Sequence, residues 1–171
     1  MADTDYAREV FLTGLKNAHA MEKQALSIMQ PQVSRLKHYP DLSKRLEAHI
    51  SETETQLERL SEVLDSVGES SSTTKDAFLS TVGSTAALSH VAAADEVLKN
   101  SFANLAFENY EIAAYISLIT AAQVSGESKA VPLLEANLDE ERRMAEWVAG
   151  HIPLITETFI SLKDSGETAK V

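Results

Sequence analysis

From Asp5 onward apolar residues recur at three- and four-residue intervals, at Val10, Phe11, Leu15, Ala18, Met21, Ala25, Leu26 and Met29. That spacing predicts a helix with one buried face. Pro31 falls inside the pattern, where it removes a backbone donor, so a bend is expected near Ile28 and an end near Leu36. After the connection His38–Asp41 the pattern resumes at Leu42, Leu46, Ile50, Leu57, Leu60, Val63 and Leu64, predicting a second helix from about Leu42 to Val67 that stops at Gly68. The polar run GESSSTTK has no helical period and reads as a loop without the second glycine of a phosphate-binding loop. Residues 76–98 carry scattered apolar positions broken by Gly83 and predict one or two short helices. A third long helix is expected from Lys99 to Val124, and a fourth from Ser128, with Pro132 tolerated in its first turn and Pro153 bending or breaking it.

No strand alternation competes with this pattern, so the fold class is all-α. The first two helices are joined tightly, as are the last two, while about 30 residues join the pairs; this predicts the crossover of a ferritin-like four-helix bundle, with simple up-and-down order as the other topology. The 171 residues suit one domain, expected over 1–165 with a flexible tail at 166–171.

The informative positions are acids that interrupt the apolar faces. Glu22 lies four after Ala18 and four before Leu26, with His19 three before it. His49 and Glu52 share a face with Leu42, Leu46 and Leu60, Glu108 and Glu111 lie in line with Leu105, Tyr115 and Leu118, and Glu140 and Glu141 follow Leu138. Unpaired carboxylates in a core are costly. Basic residues at the same phase are scarce, whereas a pair of divalent ions would compensate the charge directly through oxygen ligands.

An internal repeat bears on which acids converge. LEAHISE at 46–52 returns as LEANLDE at 134–140, matching Glu52 with Glu140 and His49 with Asn137 at an offset of 88. An offset of 89 matches Glu22 with Glu111 and His19 with Glu108. Two similar helix pairs around a pseudo-twofold axis would bring one glutamate from each helix to a common centre. Phase alone admits Glu141 as well as Glu140, and the repeat favours Glu140. Glu47, Glu54, Glu58 and Glu146 are expected on solvated faces, and Tyr115 and Trp147 in the core, Trp147 alternatively at a dimer contact.

Charge and composition narrow the function classes. With 15 basic against 26 acidic residues the formal charge is −11, which disfavours nucleic acid and anionic membranes and favours cations. The absence of cysteine removes thiolate ligands, thiol nucleophiles and disulfides. No run of 18 apolar residues occurs and the start is charged, so a soluble, cytoplasmic chain is expected.

MEKQAL around Glu22, HISETETQLERL around His49 and Glu52, ENYEIAAY around Glu108 and Glu111, and LDEER around Glu140 resemble the YciF/YciE family of bacterial stress-related proteins, a branch of the ferritin-like superfamily. The likeness covers about residues 8–150. It implies a four-helix fold with short helices in the crossover, a homodimer, and a site for two divalent ions, iron before manganese, with Glu22, Glu52, Glu108, Glu111 and Glu140 as ligands and His49 as ligand or support. His19 stands where the family usually has tyrosine, and Ala145 where it often has aspartate. The Glu-x-x-His pairs of other di-iron bundles are replaced by the reverse order, His-x-x-Glu. The function implied is oxidation of ferrous ion or consumption of peroxide or dioxygen in stress defence; the competing expectation is a non-catalytic dimeric structural or partner-binding module.

Overall fold

A computed structural model describes residues 4–69 and 93–169. Four long helices make up the fold: α1 (Thr4–Val33), α2 (Pro40–Ser66), α3 (Glu96–Ser125) and α4 (Val131–Asp164). The short helices expected over 76–98 fall almost entirely outside the described residues, as does His90; Glu96, Val97 and Leu98 belong to the first turn of α3.

The prolines explain where the observed bounds differ from the expected ones. Pro40 and Pro132 occupy the first turns of α2 and α4, where a missing N–H costs nothing, and they set the starts. Pro31 and Pro153 lie inside α1 and α4 without ending them. Both are solvent-exposed, so the carbonyl that each leaves unbonded can face water. The helix α4 therefore runs eleven residues beyond Pro153, to Asp164. Ala169, in the segment expected to be a flexible tail, is buried, and its carbonyl accepts a hydrogen bond from Tyr39 Oη at 2.7 Å.

Neighbouring helices run antiparallel. Arg8 Nη2 donates to the carbonyl of Val67, which sets α1 against α2, and Gln32 exchanges amide hydrogen bonds with Asn104 at 3.0 and 3.1 Å, which sets α1 against α3. Arg35 grips the buried Glu96 through two bonds of 2.6 and 2.7 Å at the far end of the same seam. Contacts of α4 with α3 and with α2 close the square. With α2 and α3 both opposed to α1, the end of α2 and the start of α3 lie at opposite ends of the bundle; this is the ferritin-like order, not the simple up-and-down one.

Two apolar clusters fill the interior. One contains Phe11, Leu15, Met21, Leu60, Leu64, Tyr115, Leu118, Leu134 and Leu138; the other contains Ala25, Met29, Leu42, Leu46, Met144 and Val148. Glu22, His49, Glu108, Glu111 and Glu141 fall between these two sets, so a polar layer separates two apolar ones. Trp147 packs beside the second cluster and stacks on His151 with ring centroids 3.7 Å apart.

Helix ends are set by Gly-Glu pairs. Gly68 and Gly126 take left-handed φ values of 78° and 83°, and the next residue's N–H returns to the carbonyl of Leu64 or Ala122 at 3.0 or 2.9 Å. A side chain at either glycine would clash with its own backbone. Gly150 is different: it is exposed within α4, with no neighbouring atom within 4 Å of the place an added methyl would take. Gly126→Ala is therefore expected to lower stability by about 1 kcal/mol, whereas Gly150→Ala raises it by about 0.5 to 1 kcal/mol. Urea titration of the two variants checks the opposite signs.

Candidate metal centre

The polar layer holds Glu22 from α1, His49, Thr53 and Gln56 from α2, Glu108, Glu111 and Tyr115 from α3, and Asn137 and Glu141 from α4, all buried. At the middle, His49, Glu108 and Glu141 each offer a ligand atom, and these atoms lie within 4.8 Å of one another. Nε2 of His49 is 3.2 Å from Glu108 Oε2 and 3.4 Å from Glu141 Oε2. These are ion-pairing distances, yet neither oxygen receives an aligned hydrogen bond. The other nitrogen, Nδ1, faces Glu52 Oε2 at 2.9 Å, and that carboxylate also accepts from Arg45 at 3.1 Å. Glu52 thus orients the imidazole from outside, the usual way in which a metal-binding histidine is held.

Glu22 is held from the opposite side. Tyr115 Oη donates to its Oε1 at 2.6 Å, Asn137 Nδ2 donates to that phenol at 2.9 Å, and Arg59 Nη1 donates to Asn137 Oδ1 at 2.9 Å. A donor chain therefore runs from Arg59 inward to one oxygen of Glu22, leaving the other, Oε2, without a partner. Glu111 has no hydrogen-bond partner on either oxygen, and one oxygen each of Glu108 and Glu141 is equally bare.

Placement of the expected residues is mixed. Glu22, His49, Glu108 and Glu111 lie in the buried layer, as their phase requires. Glu52 and Glu140 lie at its rim, with side chains 27% and 12% exposed, each bound by an arginine. Arg59 clasps both oxygens of Glu140 at 2.7 and 3.0 Å. The inner acid of α4 is Glu141, which is completely buried and accepts from Gln56 Nε2. Phase admits Glu141, whereas the repeat favours Glu140. The scarcity of basic partners expected for these acids holds for the centre but not for the rim, because the long stems of Arg45 and Arg59 carry their charge to Glu52 and Glu140 from positions off the buried stripe. His19 is buried but stands apart from the central group, with Nε2 3.5 Å from Ser61 Oγ and Nδ1 unpartnered. Glu47, Glu54, Glu58 and Glu146 are exposed as expected.

Gln56, Asn137 and Arg59 are not among the site residues expected from the sequence. Gln56 has a usable signal there, lying seven after His49 and four before Leu60 on the buried face. Arg59 has none, since its contact is made across to another helix.

The electrostatics follow from burial. Desolvation, then the charge of Glu141, pushes the Glu22 carboxyl well above its ordinary range, and Glu111 is raised by burial and then by Glu22, Glu141 and Glu108. Burial raises Glu108 to about 8 against the opposing pull of His49. Burial also pushes Glu141 up, but its pairing with His49 overcomes this and leaves it lowered. Burial alone would strip His49 of its proton; its pairing with Glu108, Glu141 and Glu52 reverses that and raises it to about 12. His19, by contrast, is lowered by burial and by Lys23.

These shifts fix a pH dependence for the metal-free chain. An acid raised on folding holds its proton more tightly in the folded state, so its contribution to stability is complete below 4.5 and is lost as pH rises through about 8 for Glu108. The raised Glu22 and Glu111 carboxyls act with the same sign. Metal-stripped protein is therefore expected to melt at progressively lower temperature as pH is taken from about 5 to about 8. Calorimetry in chelator checks this; a melting temperature that rises across the interval would contradict the assignment.

Among the described residues no helix is long and apolar enough to cross a membrane. Residues 6–161 match the family model described as a domain of unknown function, DUF892. The chain is 32% identical over 145 residues to protein YciF of Escherichia coli strain K12, covering 78% of this chain and 82% of that protein. Its fold is similar to the crystal structure of a protein from Xanthomonas campestris pv. campestris, with a TM-score of 0.76 at 32% identity over 92% of this chain and 99% of that one. It is also similar to the crystal structure of the E. coli stress protein YciF, with a TM-score of 0.64 at 26% identity over 89% and 96% of the two chains. A polar layer of glutamates, a histidine and amides inside four antiparallel helices, with these likenesses along most of its length, makes the chain a member of the DUF892 family, of YciF type.

Proposed function

We propose that this protein binds two divalent metal ions, iron in preference to manganese, between Glu22, His49, Glu108, Glu111 and Glu141, and uses them in oxidoreductase chemistry on peroxide, dioxygen or ferrous ion. The observation that carries this reading is the set of five bare oxygens on four buried carboxyl groups: Glu22 Oε2, Glu108 Oε2, both oxygens of Glu111, and Glu141 Oε2. A buried carboxyl oxygen without a hydrogen bond is destabilising. Five of them on four carboxyls, with one imidazole, make a donor set of hard oxygens and a nitrogen that suits iron or manganese. When bound, such ions supply one-electron redox chemistry and an acidic coordination position for a small oxidant.

The chain's own residues divide the remaining work. Glu52 and Arg45 fix His49 through Nδ1, so that Nε2 is the atom available to a metal, which must displace its proton. Tyr115 holds one oxygen of Glu22 and leaves the other free. Its own phenol is raised well above its ordinary value by burial and by Glu22, so it stays protonated and donates. The apolar layers on either side keep bulk water from the carboxyls. That the E. coli relative is called a stress protein supports a role in defence against oxidants.

Metal content tests the reading first. Untagged protein loaded anaerobically with ferrous ion is expected to retain close to two ions per chain, and fewer than about one per ten chains would reject it. Glu111→Leu gives a second test with two opposed results. In the metal-free protein it is expected to raise stability by about 1 to 3 kcal/mol by removing an unpartnered acid, and it abolishes the added stabilisation that metal gives the wild type. A variant that loses stability without metal and still binds it normally would show Glu111 to be structural.

A further inference from the structure

Resting on the metal reading above, we infer that the seam between α2 and α4 is the cation entry site of this centre, with Glu140 as the carboxylate that receives the ion and Arg59 as the side chain that closes the seam.

Four carboxyls at the middle of a bundle present a problem of access, because a divalent ion crossing an apolar layer would have to shed its water with nothing to replace it. A cavity of about 470 Å³ between α1 and α3 offers no solution: its buried lining residues, Ala18, Met21 and Leu118, are apolar. The contact between α2 and α4 is the slightest of the four seams and is bridged by polar groups. Arg59 of α2 reaches across to Glu140 of α4, with the two side chains 23% and 12% exposed. Water therefore reaches the edge of this pair, and Arg59 has solvent to turn into when it opens.

Directly inside it lies Gln56, fully buried, whose Nε2 donates both to Glu140 Oε2 at 3.1 Å and to Glu141 Oε1. One side chain thus links the rim carboxylate to a carboxyl of the centre. Its own Oε1, a hard neutral oxygen, has no hydrogen-bond partner, and Glu141 Oε2 behind it faces His49 Nε2 at 3.4 Å without accepting an aligned hydrogen bond. Oxygen donors therefore line the way from the exposed edge to the buried layer. The seam's other rim acid, Glu52, is also held by an arginine, but Arg45 lies on the same helix as its acid. Of these two arginines, Arg59 is the one that ties α2 to α4.

An ion approaching Glu140 meets the guanidinium first, so Arg59 must swing outward before the carboxylate can turn to the ion. The negative field of the chain favours this exchange, since it draws cations toward a seam whose mouth the arginine guards with opposing charge. In this arrangement Glu140 is a transit group and not a resident ligand, which accounts for a buried-phase acid that spends its hydrogen-bonding capacity on a surface arginine.

The test is the rate of cobalt(II) uptake by metal-stripped full-length protein, followed by stopped-flow visible absorption, with final stoichiometry measured separately. Arg59→Met is expected to take up cobalt about tenfold faster than wild type, and Glu140→Gln about tenfold more slowly while reaching the wild-type stoichiometry. Circular dichroism establishes that each variant is folded, and Glu140→Gln, which keeps shape and removes only charge, serves should Arg59→Met prove unstable. Uptake rates unchanged in both variants would overturn the entry site while leaving the metal centre standing. Lower stoichiometry in Glu140→Gln would overturn it too, by making Glu140 a resident ligand. Absence of cobalt from the wild type would overturn the metal reading and this inference together.

Discussion

Everything distinctive about this bundle follows from the burial of four carboxyl groups at one level of its core. Glu22, Glu108, Glu111 and Glu141 are at most 3% exposed, and a single imidazole, His49, stands among them. Desolvation and mutual repulsion push three of these acids upward and make the protonated imidazole the natural partner of the fourth. Such a layer weakens a fold unless something is gained, and the surrounding structure is arranged to tolerate it. Apolar clusters above and below supply the burial that holds the helices together, and hydrogen bonds are spent on fixing the outer atoms of the layer, leaving the inner ones free.

The outer atoms are fixed in two different ways. On one side Arg45 and Glu52 orient His49; on the other a run of donors from Arg59 through Asn137 and Tyr115 fixes Glu22. Both begin at an arginine of α2 that is partly exposed, so solvated positive charge at the rim is coupled to buried negative charge at the centre. The repeated heptapeptide accordingly contributes less to the centre than its likeness suggests. Its closing glutamates, Glu52 and Glu140, are both rim residues. Of the positions that differ, His49 and Asn137 are both buried, and one faces the carboxyls directly while the other supports a tyrosine.

The pseudo-symmetry breaks where the chemistry is concentrated. At the offset of 88, Glu141 corresponds to Thr53, and both are fully buried. The α2 half therefore brings an imidazole without an inner carboxyl, and the α4 half brings a carboxyl without an imidazole. Two cations held in this layer would have unlike ligands. That asymmetry is written in the side chains.

Four helices, their buried faces and the presence of acids on those faces were legible in the sequence, because apolar spacing and helical phase are local properties. The crossover was legible from the lengths of the connections. Phase put Glu22, His49, Glu108 and Glu111 on buried faces, where the structure has them, since each lies within one turn of core residues on the same helix. It could not choose between Glu140 and Glu141, which are about 100° apart and both border the apolar stripe. Only the approach of α2 set which of them faces inward, by clasping Glu140 with Arg59 at the rim and leaving Glu141 buried beside Gln56 and His49. The same holds for Arg59 and Tyr115: a long side chain's partner on another helix is not encoded in its own helix's period. The sequence by itself determined that acids would be buried in an all-α bundle; tertiary packing decided which of them would be neutralised at the rim and which would be left facing one another.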